Sequence, residues 1–217
     1  MSHLTAPVEA PPARCPASAP SRRVLVAIAG AFLLLYALLM GTGTDLAYDA
    51  KLSDITDHYG EISETVTRVS AYVGMVFVAL LLFFGAGVRN AIRGAGGSWF
   101  GDVVLLGFAG LAGTVASWVV VDVALWKAVD QGDESAIRAL VTLSDAGFLP
   151  LMASMIAIYV GSGLAGLTTG CLPKWLAIAS VVVGVIAPLD VLGFVGAMLL
   201  PFWAIAVALT MRAETSA

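Results

Sequence analysis

The chain has 217 residues, of which 59% are hydrophobic and 12% are charged. The charged fraction is about half of the roughly 25% found in soluble globular proteins, which excludes an ordinary soluble enzyme. The hydrophobic content excludes a disordered chain, and a net charge of −4 without a basic block excludes a nucleic-acid partner. The mean hydropathy of +0.94 indicates that most of the surface faces lipid.

Residues 1–23 form a low-complexity stretch that holds five of the nine prolines. This composition predicts a disordered cytoplasmic tail. Arg22 and Arg23 then precede an apolar run over residues 24–40. At about 17 residues, the run exceeds the 7–15 residues of a cleaved signal segment, and no small-residue cleavage site closes it. We therefore predict an uncleaved first membrane span.

Five further spans follow from the apolar runs. Residues 175–210 contain one charged residue, Asp190, and as a single helix they would extend about 54 Å, against a hydrocarbon core of about 30 Å. Pro188 favours a turn that divides this stretch into two spans. The predicted fold is an all-α, polytopic transmembrane helical bundle over residues 24–212, with a tail at 213–217. Its six spans are 24–40, 69–88, 103–126, 146–167, 171–189 and 191–211. A re-entrant pair in place of the last two spans is the alternative.

An even number of spans places both termini on the same side of the membrane. With the termini in the cytoplasm, the inner segments carry seven Lys and Arg residues and the outer segments carry four. Arg89 and Arg93 lie in one inner loop and Lys174 lies in the other, so the positive-inside rule predicts a plasma-membrane protein with cytoplasmic termini. Three tryptophans fall near predicted interfaces, as an aromatic belt requires: Trp99, Trp126 and Trp175.

Small residues recur at steps of three or four in two spans. The third span carries Gly107, Gly110, Thr114 and Ser117, and the fourth carries Ala153, Ala157, Gly161 and Ala165. Helices in lipid associate through such close contacts, so these stripes predict tight packing in the bundle. The alternative is that one of them lines a substrate path.

Carboxylates in or beside the spans are the main candidates for a site. Asp122, Asp145 and Asp190 are all predicted to lie near the outer boundary, and the favoured interpretation is that they are interfacial charges that water reaches. The alternative is an outward acidic vestibule that binds a cation or takes up protons, and Asp122 is its strongest candidate because its neighbours Val121 and Val123 are apolar. Asp102 is predicted instead to begin a helix or to pair with a nearby arginine.

The first outer loop contains a second, weaker group. Asp54, Asp57, His58 and Glu61 are spaced at i, i+3, i+4 and i+7, so on a helix they would share one face. Carboxylates with an imidazole can bind a divalent cation, but Gly60 weakens the helix and no second histidine is near. A solvated amphipathic face is favoured, with its apolar partners resting on the mouth of the bundle: Leu52, Ile55 and Ile62.

No arrangement of residues in the sequence indicates catalysis. A histidine relay, a zinc-ligand spacing and a phosphate-binding loop are all missing. We therefore predict a protein that is not an enzyme, with no metal and no cofactor.

Three segments carry a resemblance to a known group. They are residues 52–60 (LSDITDHYG), 87–93 (GVRNAIR) and 163–176 (GLAGLTTGCLPKWL). In these segments the chain resembles a bacterial, actinobacterial-type family of multi-span integral membrane proteins of unknown function. The resemblance extends over roughly residues 24–212. It implies a fold and an inner turn at Pro173, and it implies no reaction.

Two functions are consistent with these features. The favoured one is a non-catalytic integral membrane protein with a structural, sensory or partner-binding role. Its partners would be the lipid bilayer and another membrane protein or a second copy of the chain. The alternative is a small cation- or proton-coupled transporter that uses Asp122 and Asp190. The sequence shows no inverted repeat, which argues against transport.

Overall fold

The computed structural model describes residues 22–42 and 51–211, and in two helical stretches, 39–42 and 190–193, it describes the backbone alone. All regular structure in this part of the chain is helical, which confirms the predicted all-α class. Apart from Arg22 and Arg23, the two predicted tails lie outside the described residues. The described helices are α1 (Arg22–Thr42), α2 (Leu52–Glu61), α3 (Glu64–Gly94), α4 (Ser98–Gln131), α5 (Glu134–Ala146), α6 (Phe148–Thr169), α7 (Lys174–Ile186) and α8 (Asp190–Thr210).

Three helical segments are long and apolar enough to cross a membrane. They are α3, α4 and the segment Glu134–Thr169, which comprises α5 and α6. The apolar helix α7 is shorter: its 13 residues rise only about 20 Å. The prediction of six spans is thus supported in its coarser form, an all-helical chain with several apolar helices.

The helices extend beyond the predicted spans. α4 has 34 residues and rises about 51 Å, which is well beyond the thickness of a hydrocarbon core. The segment between the predicted spans 103–126 and 146–167 is also largely helical, because the end of α4 and most of α5 occupy residues 127–142. Asp133 caps α5 by accepting hydrogen bonds from the backbone N–H groups of Ser135 and Ala136, both at 3.1 Å. Ile137, in the first turns of α5, is fully buried.

A small apolar cluster joins α2 and α5 to the end of α4. Its buried members are Ile55, Tyr59, Val121, Leu125, Ala128 and Ile137, with Leu52 and Ile62 packed against them. We call these packed helices the cap, and the end of the bundle that carries them the cap end. The predicted apolar face of the first polar loop therefore does pack on the bundle. The opposite end, which contains the connections at 95–97 and 170–173, is called the turn end.

Neighbouring long helices are antiparallel and closely packed. A Cβ added at Gly107 of α4 would lie 2.9 Å from Ile158 Cγ1 of α6, and one at Gly161 of α6 would lie 3.0 Å from Val104 Cγ2 of α4. Only glycine permits backbones to approach this closely, so the small-residue stripes do make a tight α4–α6 contact. The stripes are narrower than predicted, since Ser117 and Ala153 are exposed.

The turn end is made by glycine-containing connections. Gly96 after α3 has φ +91°, and Gly170 after α6 has φ +72°, a left-handed conformation that favours glycine. Asp102 in the first turns of α4 pairs there with Arg89 (Nε–Oδ1 2.6 Å) and with Arg93 (Nη2–Oδ2 3.1 Å). The expected pairing of Asp102 with an arginine is therefore confirmed.

α1 and α8 lie antiparallel along one side of the bundle. The Arg22 guanidinium donates to the Leu209 carbonyl, and the Tyr36 hydroxyl donates to the Ala197 carbonyl at 3.3 Å. Pro201 explains the second contact. Because proline has no N–H, the Ala197 carbonyl four residues earlier loses its intrahelical donor, and Tyr36 replaces it.

The outer surface of the bundle is strongly apolar. Large hydrophobic side chains are exposed on most helices, as in a protein surrounded by lipid; examples are Leu34, Phe83, Leu106, Val120, Leu149 and Val185. Trp99 and Trp175 are also exposed and lie at the turn end. Trp126 differs, since its indole N–H donates to the Ile62 carbonyl at 2.9 Å.

Candidate functional site

A cavity of about 320 Å³ lies in the cap half of the bundle, between α1, α3, α4, α6 and α8. Six aromatic side chains line it, together with leucine, valine, methionine and alanine side chains. The aromatic ones are Phe32, Tyr36, Phe77, Trp118, Phe148 and Phe194. Of the described residues that line the cavity, Asp122 is the one with a charged side chain. The cavity therefore combines an apolar wall with a single carboxylate.

The helix period explains how these groups come together. Phe32 and Tyr36 are four residues apart on α1, and Trp118 and Asp122 are four residues apart on α4, so each pair shares one helix face. Phe32 stacks on Phe77 of α3 with ring centroids 4.9 Å apart. The stacked rings join α1 to α3 at one wall of the cavity.

Asp122 is bound by the cap. The Tyr59 hydroxyl of α2 donates to Asp122 Oδ1 at 2.8 Å. His58 is close enough to interact electrostatically with the same carboxylate, and its ring contacts Tyr59 edge-on at 5.4 Å. Asp122 still retains exposed surface. The carboxylate is therefore fixed in orientation and accessible to a ligand.

His58 has one unusual feature. Its Nε2 atom is buried and has no hydrogen-bond partner within the described part of the chain. A buried polar atom without a partner is costly. This atom lies in the cap, where a ligand or a water molecule would supply a partner.

The predicted group on α2 is divided by the structure. His58 lies in the cap near Asp122, whereas Asp54, Asp57 and Glu61 are exposed. No three histidine, cysteine, aspartate or glutamate side chains in the described ranges are placed to hold a metal ion. The favoured interpretation of a solvated amphipathic face thus applies to the three carboxylates.

The three predicted vestibule carboxylates have different positions. Asp122 lines the cavity. Asp145 is the next-to-last residue of α5 rather than the start of a span, and it is exposed. Its neighbour Ser144 contributes a carbonyl that accepts from the Trp118 indole N–H at 3.1 Å. The side chain of Asp190 lies outside the described residues, so its place in a vestibule stays a prediction.

The described lysine and arginine side chains at the cap end do not line the cavity beside Asp122. Arg68 pairs with Glu64 one turn earlier on α3. Lys127 contributes to a separate groove between α3 and α4, together with Arg68 and Trp126. Of the described charged side chains, Asp122 alone lines the aromatic cavity, and His58 interacts with it electrostatically from the cap.

Sequence reasoning missed Tyr59 and the aromatic walls. The signal for Tyr59 was its position on the apolar face of α2 with Leu52, Ile55 and Ile62, because a tyrosine on a buried face requires a partner for its hydroxyl. The walls come from five separate helices, and only the fold brings them together. No family model matches this chain, and comparisons with curated proteins and with solved structures found no similar protein.

Proposed function

We propose that this protein is a six-span integral membrane protein of the plasma membrane, with both termini in the cytoplasm and the cap outside. The exposed apolar surface and the three long helices support membrane insertion. The arginines at the turn end support a cytoplasmic location for that end. α8 has 21 residues and rises about 30 Å, and contacts at Leu209 and Ala197 hold it beside α1, which supports a full crossing over a re-entrant loop. The crossing by α7 requires its flanking turns as well, because the helix alone rises only about 20 Å.

We further propose that the protein binds a small molecule from the outside in the aromatic cavity, as a sensory or partner-binding component rather than an enzyme. The observation that carries this proposal is the cavity itself, with Asp122 at its wall. Its volume of about 320 Å³ is at the lower end of the range of small-molecule pockets. A mainly apolar wall with one oriented polar group is the usual composition of such a pocket.

Transport is the second candidate, because Asp122 is an accessible carboxylate inside the bundle. The packing of the bundle towards the turn end favours binding over transport. Val88, Val104 and Phe108 are fully buried there, and Gly85 packs directly on the Phe108 side chain. A pocket closed at one end is expected of a receptor-type site, whereas a carrier must open this packed half.

Photolabelling with an uncharged, apolar diazirine probe tests the binding proposal. In nanodiscs, mass spectrometry is expected to find more label on Phe32, Met155 and Met198 of the cavity than on the lipid-facing Leu106. Ala197→Phe, which fills the cavity, is expected to remove this excess and to leave the label on Leu106 unchanged. Equal labelling of cavity and lipid-facing residues, with no effect of the substitution, would refute binding in the cavity.

A further inference from the structure

The charge of the cavity restricts the kind of ligand that it accepts. The described lining residues include Asp122 and no lysine, arginine or histidine. An anionic ligand would be repelled by the carboxylate. A neutral apolar ligand gains from contact with the apolar wall, but it offers the carboxylate no charged partner, so it is expected to bind more weakly than a cation of the same shape.

The walls of the cavity also exclude inorganic cations as ligands. Inorganic cations such as Ca²⁺ require several oxygen ligands to replace their hydration shells. Within the described residues the cavity offers the Asp122 carboxylate and the Tyr36 hydroxyl, and the remaining side chains are apolar or carry only the indole N–H of Trp118. A bare metal ion would therefore be poorly coordinated.

Aromatic rings and a carboxylate together suit an organic cation. The negative face of an aromatic ring attracts an ammonium group, and the attraction strengthens where water is excluded. Trp118 is one turn from Asp122 and lines the same wall, so an ammonium group beside the carboxylate also lies near the best of these rings. The stacked pair of Phe32 and Phe77 offers apolar surface to the rest of the ligand.

We infer that the cavity binds a lipophilic organic cation, with its ammonium group beside Asp122 and its apolar part among the aromatic rings. This inference rests on the proposed binding function and names the class of its ligand. Tyr59 acts as a positioning residue, because its hydroxyl holds the carboxylate at the cavity wall. The cap thereby connects ligand binding to the outer helix α2.

Equilibrium binding of radiolabelled benzyltrimethylammonium tests the inference. The whole protein is reconstituted in nanodiscs of zwitterionic lipid, with empty nanodiscs as the blank. The neutral isostere neopentylbenzene, in which carbon replaces the charged nitrogen, serves as the competitor. At matched free concentrations the unlabelled cation is expected to displace the label at least about tenfold better than the isostere. Equal displacement by the two compounds would overturn the inference.

Two matched substitutions on α4 locate the charge. Asp122→Asn is expected to weaken binding of the cation about tenfold or more. Asp130→Asn removes an equal charge from an exposed position on the same helix and is expected to change binding less than about twofold. Equal effects of the two substitutions would contradict a specific role of Asp122. The comparison of the cation with its isostere uses the unaltered protein. It therefore still tests the inference if Asp122→Asn fails to fold.

The results separate this inference from the proposed function. If the neutral photolabel concentrates in the cavity but the cation has no advantage over its isostere, the binding function stands and the ligand class is wrong. If the photolabel shows no excess in the cavity and the cation does not bind, both fail.

Discussion

The contact between α4 and α6 gives the sharpest test of the packing. A Cβ at Gly107 would lie 2.9 Å from Ile158 Cγ1 and 3.0 Å from the Ile158 backbone nitrogen. The side chain can rotate away, but the backbone nitrogen can move only if the helices separate. Overpacking of this kind costs about 1–3 kcal/mol. Alanine is about 0.5–1 kcal/mol better than glycine within a helix, which offsets part of that cost.

Gly113 on the same helix provides the control. A Cβ there would meet nothing within 4 Å, so Gly113→Ala carries the helix preference without the clash. Because that preference is common to both variants, Gly107→Ala is expected to be less stable than Gly113→Ala by about 1–3 kcal/mol. Reversible unfolding in mixed micelles, followed by circular dichroism over increasing dodecyl sulfate, measures this difference. A difference below about 0.5 kcal/mol would refute the close α4–α6 packing.

Further outcomes are expected from other parts of the fold. Tyr36→Phe is expected to destabilise the protein by about 1 kcal/mol. The loss is expected to be smaller in a Pro201→Ala background, because the backbone donor to the Ala197 carbonyl is restored there. Equal losses in the two backgrounds of this double-mutant cycle would contradict the role of Tyr36 as the replacement donor. Asp133→Ala is expected to speed amide hydrogen exchange at the start of α5, whereas Asp133→Asn, which keeps a capping oxygen, is expected to exchange nearly as the unaltered protein does. Backbone hydrogen bonds from the α5 amides lower the pKa of Asp133. The stabilisation of α5 by these hydrogen bonds should therefore be complete above the ordinary aspartate pKa of about 3.9 and be lost as the pH falls through the lower pKa of the folded state. A loss already at pH 6 would contradict this role of Asp133. Asp102→Asn, which removes the ion pair with Arg89, is expected to speed amide hydrogen exchange at the turn end but not in the cap. Cys171, which is 2% exposed, is expected to react with maleimide only after unfolding.

Composition and periodicity identify the class of the fold because lipid demands apolar surface. The long runs around residues 69–88 and 103–126 needed no tertiary information, since each alone exceeds what a soluble helix carries. The ends of the helices could not be predicted from the sequence as well. α4 continues to Gln131 because Leu125 and Ala128 pack against α2 and α5, a contact between distant segments that hydropathy does not record.

The candidate site shows the same division. Asp122 could be singled out because a carboxylate between two valines is unusual in a membrane span. His58 was placed in a group with Asp54, Asp57 and Glu61, since a helical spacing shows which residues share a face but not which of them meets another helix. The cavity depends on rings from α1, α3, α4, α6 and α8, and no local pattern relates them. The carboxylate could therefore be identified from the sequence, whereas the side chains that surround it are known only from the packing of the helices.

A consequence for signalling follows from the proposed site. α2 reaches Asp122 through Tyr59 and rests on the cluster that α5 shares. A cation beside Asp122 would contact the carboxylate that Tyr59 holds, so that ligand binding and the position of α2 are linked through one side chain. A sensory or partner-binding component requires such a link between its ligand and its outer helices.

The central claim is that the cap, and with it the cavity around Asp122, faces the outside of the cell. Single cysteines test it in a Cys15→Ser background, in which the remaining Cys171 is buried. Asp57→Cys reports from the exposed face of α2 at the cap end, and Gly94→Cys reports from the turn end, where an added Cβ would meet no neighbouring atom within 4 Å. In intact cells a membrane-impermeant maleimide is expected to label position 57 and to leave position 94 unlabelled until the cells are opened. Labelling of position 94 but not 57 in intact cells would contradict the account.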